Sequence, residues 1–332
     1  MKYTKFILIF LLSLFMTGCV SYSDLNELGI IDMVAIDKID NEYVVSINML
    51  LPNENDLENK KIYTSKNSSL NECLNDLYLS TTKKISFSHL ELLILTPNLV
   101  KNDYDEIINL FLNRVDSRNT FNTVIVDTPA QIFNYKSKDI NDLININSEQ
   151  EGTVTIKQFD QIIKDILELG ISYIPRIKIE EEIKIEGYQS IYYQNKLLSQ
   201  EESIGYNFIS NKITKLLFTV DEIGFITDQS LTNIKVDNNK ITINIDTTYQ
   251  ITSNNNSIKN DSKIAKKYKD EIKRYINYYL DKNPHNYFYN LIKKHNYKYY
   301  NNNIRNINLE FDIKITATKI DNSNIKGGMF NE

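Results

Sequence analysis

The residues able to do chemistry are few and far apart. His89 precedes an apolar run at 90–95, which places it at a strand entry, bonded to backbone, rather than at a metal. His285 and His295 stand ten residues apart, too far for the i, i+4 pair that sets two imidazoles on one helical face around a metal. Cys73 shares an apolar helical spacing with Leu70, Leu74 and Leu77, so its thiol is expected in a core. Glu180, Glu181 and Glu182 suggest acid–base work, yet in an extended chain neighbours point to opposite faces and a solvated edge results. No nucleophile, base and orienting acid can be assembled from these parts. The chain is therefore not expected to be an enzyme, and no metal or other cofactor is expected.

A second group is electrostatic. Residues 259–305 concentrate Lys263, Lys266, Lys267, Lys269, Lys273, Arg274, Lys293, Lys294 and Lys298 among nine tyrosines. Cations interleaved with aromatics suit single-stranded nucleic acid. Two observations oppose that partner: the net charge of −5, and the export leader described next. No nucleic acid is expected. Two readings stay open: a solvated helix face, or a contact through Lys266, Lys267, Lys273 and Arg274 with anionic headgroups or an acidic subunit. Acid gathers instead near the start, at Asp24, Glu27, Asp32, Asp37 and Asp40.

The third candidate is Cys19. It follows a basic start (Lys2, Lys5), an apolar run at 6–15 broken only by Ser13, and the small residues Thr17-Gly18. That order describes an export leader. The run is about half the ~20 apolar residues that span a bilayer. The segment Leu14-Phe15-Met16-Thr17-Gly18-Cys19 resembles the lipobox of bacterial lipoproteins. The resemblance implies cleavage between Gly18 and Cys19 and a diacylglycerol on the Cys19 thiol. Two acyl chains hold stably where one holds marginally. With Cys19 committed to lipid, Cys73 has no partner for an intramolecular disulfide.

The elements that position these residues follow from periodicity. With 332 residues, 42 % hydrophobic and 24 % charged, the body past the leader has room for two domains or three small ones. Strands are expected at 32–37 and 43–49, with Val45, Ile47 and Met49 on one face, and a polar loop at 52–61. A helix capped by Ser69 carries Leu70, Cys73, Leu74 and Leu77. A strand at 88–95, a helix at 104–115, a strand at 123–126 and a short helix opened by Pro129 continue the rhythm. Residues 140–152 are Asn-rich and read as a connection. A helix at 155–169 ends at Gly170. Beyond Pro175 strands dominate, at 176–186, 188–193, 215–220, 231–236 and 240–251. Helices at 262–280 and from Pro284 follow, and an alternating strand at 306–320 closes the chain. The fold class expected is α+β, with mixed β-sheets flanked by helices in two or three successive lobes. The divisions are a leader at 1–18, an N-terminal domain at 19–175 and a C-terminal domain at 176–332. The last is either one unit or a β-rich lobe followed by a helix-pair and strand lobe.

The order of features resembles the Ger(x)C family, the C subunits of nutrient germinant receptors in bacterial endospores. Asn26-Glu27-Leu28-Gly29-Ile30 behind a lipidated cysteine is similar to the start of that family. So is the segment Thr81-Thr82-Lys83-Lys84-Ile85-Ser86-Phe87-Ser88-His89-Leu90 before an apolar strand. Gly187-Tyr188-Gln189-Ser190-Ile191-Tyr192-Tyr193-Gln194-Asn195-Lys196-Leu197 is similar to its hairpin, and Glu202-Ser203-Ile204-Gly205 falls where a charged residue and glycine precede a helix. The resemblance implies a non-catalytic subunit needed for assembly and for the germination response. It implies integral-membrane A and B subunits as partners, and attachment through the lipid anchor to the phospholipid bilayer at the outer face of the spore's inner (cytoplasmic) membrane. The competing class is a substrate-binding lipoprotein of a membrane transporter, which shares anchor and compartment. That class has two similar α/β lobes and a hinge, unlike the alternating second half here.

Overall fold

Leu28–Ile39 (β1) is apolar at nearly every position and is buried on both faces. A strand of that composition must lie inside a sheet covered on both sides. It does so in the computed structural model, which describes residues 27–50, 60–114, 116–191, 195–237, 240–254, 260–282, 285–295 and 309–320. Gly18 and Cys19 lie outside the described residues. β1 pairs antiparallel with Glu42–Leu50 (β2), which pairs antiparallel with Lys60–Asn67 (β3). On its other edge β1 runs parallel to Lys84–Ser86 (β4) and Leu92–Leu95 (β5). Asn122–Val126 (β6) and Ser172–Ile179 (β7) add parallel strands, and Ile183–Ile191 (β8) closes the sheet antiparallel to β7.

Strand alternation divides the sheet between two cores. Val34, Ile36, Leu93, Leu95 and Ile125 face Leu70–Ser80 (α1), Pro97–Asn102 (α2), Tyr104–Leu112 (α3) and Phe159–Leu169 (α6). Met33, Ala35, Leu92, Ile94, Val124 and Val126 face the other way. They meet Pro129–Ile132 (α4), Ser137–Gln150 (α5) and Gln200–Ile209 (α7). As expected, Val45, Ile47 and Met49 are buried together and Ser69 caps α1, its hydroxyl accepting from Glu72 N at 3.2 Å. Pro129 opens α4, and Gly170 ends α6 with φ +66°.

The second sheet is built from Leu216–Val220 (β9), Ile223–Asp237 (β10), Lys240–Asn254 (β11) and Glu310–Lys319 (β12). Its order is β12-β11-β10-β9, antiparallel except for the parallel pair β11–β12. Asp261–Lys282 (α8) and His285–His295 (α9) lie between β11 and β12 in the chain. Ile241, Ile243, Ile245 and Tyr249 of this sheet share a continuous core with Ile264, Ile272 and Ile276 of α8 and with the first sheet's Tyr173, Ile177 and Tyr188. The fold class is α+β with mixed sheets.

Several elements differ from expectation, among them the strand expected at 176–186, which is broken by the turn between β7 and β8. The change of character placed at 175/176 falls inside β7, where Pro175 pairs with Tyr188, so the first sheet runs on to Ile191. The Asn-rich stretch at 140–152 is helix α5 rather than a connection. Its stripe of Ile140, Leu143 and Ile144 packs on the sheet and overrides the weak helix propensity of asparagine. Lys60–Asn67 is a strand because an edge needs only one half-buried face, and it pairs with β2 alone. Glu202-Ser203-Ile204-Gly205 lies within α7 rather than before a helix. Every residue from Glu202 to Ile209 is buried, so α7 shows no amphipathic period.

Two glycines mark close approaches. At Gly187 φ is +140°, and a Cβ there would lie 2.2 Å from Leu198 O. A Cβ on Gly205 would lie 2.1 Å from Tyr275 O, so α7 and α8 touch backbone to backbone. Gly205→Ala is expected to lower the melting temperature, at a cost of ~1–3 kcal/mol for forcing a packed contact apart. A wild-type thermal melt for this variant would show that the two helices separate freely.

Candidate functional site

The basic, aromatic helix is the first place to look for a working surface. In α8 the residues Ile264, Tyr268, Ile272, Tyr275, Ile276 and Tyr279 recur at three and four and are all buried. Tyr268 stacks on Tyr249, with ring centroids 4.4 Å apart, and its hydroxyl meets Thr227 Oγ1 and Thr247 Oγ1, each at 2.9 Å. Tyr279 OH lies 3.0 Å from Tyr173 OH. These aromatics form the core joining the sheets and present no stacking platform for bases.

The cations divide in the same way. Lys266 and Lys273 are exposed. Lys267 is ion-paired with Asp221, beside the β9–β10 turn. Arg274 pairs with Glu271 and, at 3.0 Å, with Glu201 in the first turn of α7. The Glu271 carboxylate holds the Arg274 guanidinium above its ordinary value. Of the four residues expected to make an external contact, two face solvent and two are also tied to their own chain.

The other sequence candidates fall as follows. His89 is exposed in the turn between β4 and β5, where Leu90 N donates to Phe87 O at 3.1 Å. His285 and His295 are the two terminal residues of α9. Cys73 is fully buried, and its thiol donates to Tyr43 O at 3.3 Å. Burial pushes that thiol's pKa up, away from reactivity. Glu180 sits on the exposed β7–β8 turn between Lys184 (2.8 Å) and Lys178 (2.9 Å), and these ammonium donors hold its carboxyl down to about 2. Among the described residues no group of three or more His, Cys, Asp or Glu is placed to hold a metal.

Sequence reasoning missed a charged node beside the tyrosine core. Lys157 and Asp165 form an ion pair, and Ser172 Oγ donates to the same carboxylate at 3.1 Å. Lys212 lies beside this pair, with its ammonium 5.0 Å from the Tyr206 ring centroid. The Asp165 charge offsets part of the cost of placing Lys212 here. Burial, reinforced by the charge of Lys157, lowers Lys212 to about 7. Nothing in the local sequence announces this, since Lys212 comes from a segment distant from Lys157 and Asp165.

The comparisons with known proteins fit this geometry. A model of the family described as spore germination protein N-terminal domain matches residues 21–179, from two positions past Cys19 to the end of β7. Residues 21–179, just under half of the chain, thus form a spore-germination domain, and this match supports the Ger(x)C resemblance. A solved structure titled "Crystal Structure of the GerBC protein" is similar in fold, with a TM-score of 0.55 and 18 % sequence identity. The likeness covers 87 % of this chain and 97 % of that one, so it spans both sheets. No match was found among curated proteins.

Lys212 gives the node a measurable signature. Below pH 7 it is charged in folded and unfolded chains alike. Between about 7 and the ordinary lysine value of 10.5 the unfolded chain holds a proton that the folded chain has released. Stability from this group therefore rises with pH across that window and is lost as pH falls through it. Lys212→Met is expected to raise the melting temperature at neutral pH and to flatten its rise toward alkaline pH. A melt series with the wild-type slope would show that the ammonium is solvated.

Proposed function

We propose that this chain is the lipid-anchored, non-catalytic subunit of a spore nutrient-germinant receptor. In this reading it is held by Cys19 at the outer face of the spore's inner membrane and works beside integral-membrane A and B subunits. The observation that carries the reading is the start of the matched germination domain, two residues past the cysteine of the lipobox-like segment. The resemblance to the Ger(x)C family, with this domain match behind it, supports the receptor assignment. Among the described residues no helix is long and apolar enough to cross a membrane. Attachment in this reading falls to the two acyl chains on Cys19.

Geometry constrains how such a subunit would stand. β1 begins at Leu28, so nine residues at most ~3.3–3.6 Å each place its first residue within about 30 Å of the anchor. The subunit would act by docking rather than by catalysis. The exposed Lys266 and Lys273 of α8 are proposed to meet anionic headgroups or an acidic partner surface, each contributing ~1 kcal/mol near an anionic leaflet. Lys267 and Arg274 would contribute less, because Asp221, Glu201 and Glu271 already neutralise them.

Two measurements test this. Cys19→Ala is expected to move the protein from the membrane to the soluble fraction of spores and to impair the germination response; normal membrane fractionation of that variant would refute the anchor. In the Cys19→Ala background, Lys266→Glu with Lys273→Glu is expected to weaken low-salt binding to anionic vesicles. Unchanged binding would remove the role given to α8.

A further inference from the structure

Asp32 sits at a break in the β1–β2 ladder. Ile31 pairs with Met49 and Met33 with Asn48, so Asp32 is the extra residue of a β-bulge. Bulges re-aim side chains, and this one turns Asp32 out of both apolar cores. Its carboxylate accepts from Asn48 Nδ2 at 2.8 Å and lies 3.4 Å from Ser137 Oγ, in the first turn of α5. Ser137 Oγ lies closer to Glu91, donating to its Oε2 at 2.5 Å. Glu91 in turn is held by its own N–H, which donates to Asp32 O at 2.9 Å.

The cluster is short of donors. A serine hydroxyl has one proton, and here two carboxyl groups compete for it. Asn48 is 1 % exposed, yet its Oδ1 has no hydrogen-bond partner among the described residues. An unmet buried acceptor costs about 1–3 kcal/mol. The positive N-terminal end of α5 accounts for an acidic neighbour such as Glu91. It does not account for the surplus of acceptors around Asn48. Burial, with the Glu91 charge adding, also holds the Asp32 carboxyl above its usual range.

These residues line one cavity of about 370 Å³. Pockets of ~300–1,000 Å³ are the size that small molecules occupy. Asp32 and Asn48 form its buried part. Lys60 and Lys138, both exposed, also line it, with Lys60 Nζ donating to Phe133 O at 2.8 Å. The Asp32 and Asn48 acceptors thus lie deep, while Glu91 and the ammonium groups lie toward solvent.

We infer that this cavity binds a small zwitterion, its ammonium donating to Asp32, Glu91 and Asn48 Oδ1 and its anionic group facing Lys138 and Lys60. Free α-amino acids and the phosphoethanolamine headgroup share this chemistry, a primary ammonium carried close to an anion. Binding requires only this chain, so the result stands apart from receptor membership.

The test titrates the detergent-solubilised full-length chain with a panel of free α-amino acids and with O-phosphoethanolamine. Ethanolamine and acetate serve as single-charge controls, and saturation-transfer NMR and calorimetry are the readouts. At least one zwitterion is expected to bind saturably and more tightly than either control. Asp32→Asn is expected to weaken it about tenfold or more, the loss of a charge-assisted hydrogen bond. Lys138→Glu, at an exposed position, is expected to weaken it with an unchanged melting temperature. Preference for an amino acid assigns the site to a free solute. Preference for O-phosphoethanolamine, with flotation of the Cys19→Ala chain on phosphatidylethanolamine but not phosphatidylcholine vesicles, assigns it to a headgroup. Either upholds the site. Absence of saturable binding by any probe, or equal affinity in both variants, overturns it and leaves a cavity filled by water only.

Discussion

The architecture depends on burying the first sheet from both sides. A strand such as β1, apolar on both faces, cannot be left half-covered without exposing Val34 and Ile36 or Met33 and Ala35. The valine, isoleucine and methionine side chains each gain ~1.5–3 kcal/mol from full burial. Helices α1, α2, α3 and α6 satisfy one face. The other face is satisfied partly by α4 and α5 and partly by α7, which brings the second sheet and α8 with it. The C-terminal half is thus continuous with the cover of the N-terminal sheet, and the aromatic residues of α8 become structural. Tyr173, Tyr206 and Tyr279 pack ring to ring across this junction. Surface charge on α8 is what remains once that inner face is spent.

Asp32 enters this interior where the strand pattern breaks. The bulge at Asp32 shifts alternation along β1, so that Ile31 faces one core and Met33 the other. The residue between them is directed toward Asn48 and Ser137. Lys212, Lys157 and Asp165 occupy the comparable position beside the tyrosines, where α6 and the turn after α7 come together. In both places charge is kept at the margin of a hydrophobic core, where its protonation responds to the packing around it.

Much of the fold was legible where local pattern and tertiary demand agree. Period two in β2, the capped stripe of Leu70, Cys73, Leu74 and Leu77, and Pro129 at the start of α4 are local signals, and the structure repeats them. The tyrosines of α8 carried a signal too, since Tyr268, Tyr275 and Tyr279 share one helical face with Ile272 and Ile276; counting charge and aromatics without their spacing concealed it. Helix α7 was hidden because burial all round erases amphipathicity, and β3 because an edge strand needs few apolar residues. The cavity was illegible for a different reason. Asp32, Asn48, Glu91 and Ser137 come from four separate segments, and only strand register and helix placement bring them together. The anchor proposed at Cys19, by contrast, rests on a segment that is local by nature.

The parallel pairing of β12 with β11 has a consequence for how the chain is made. Lys240 pairs with Glu310 and Tyr249 with Lys319, so the second sheet needs residues separated by seventy positions and by two helices. The first sheet closes at Ile191, using only what precedes it. Domains fold largely in the order in which they emerge, and parallel pairings across long crossovers form late. A chain emerging amino-terminus first can therefore pair the eight strands of its first sheet before the distal part arrives to finish covering one face. Its last strand then acts as a latch, and truncation before it would leave the long edge of β11 open to wrong partners.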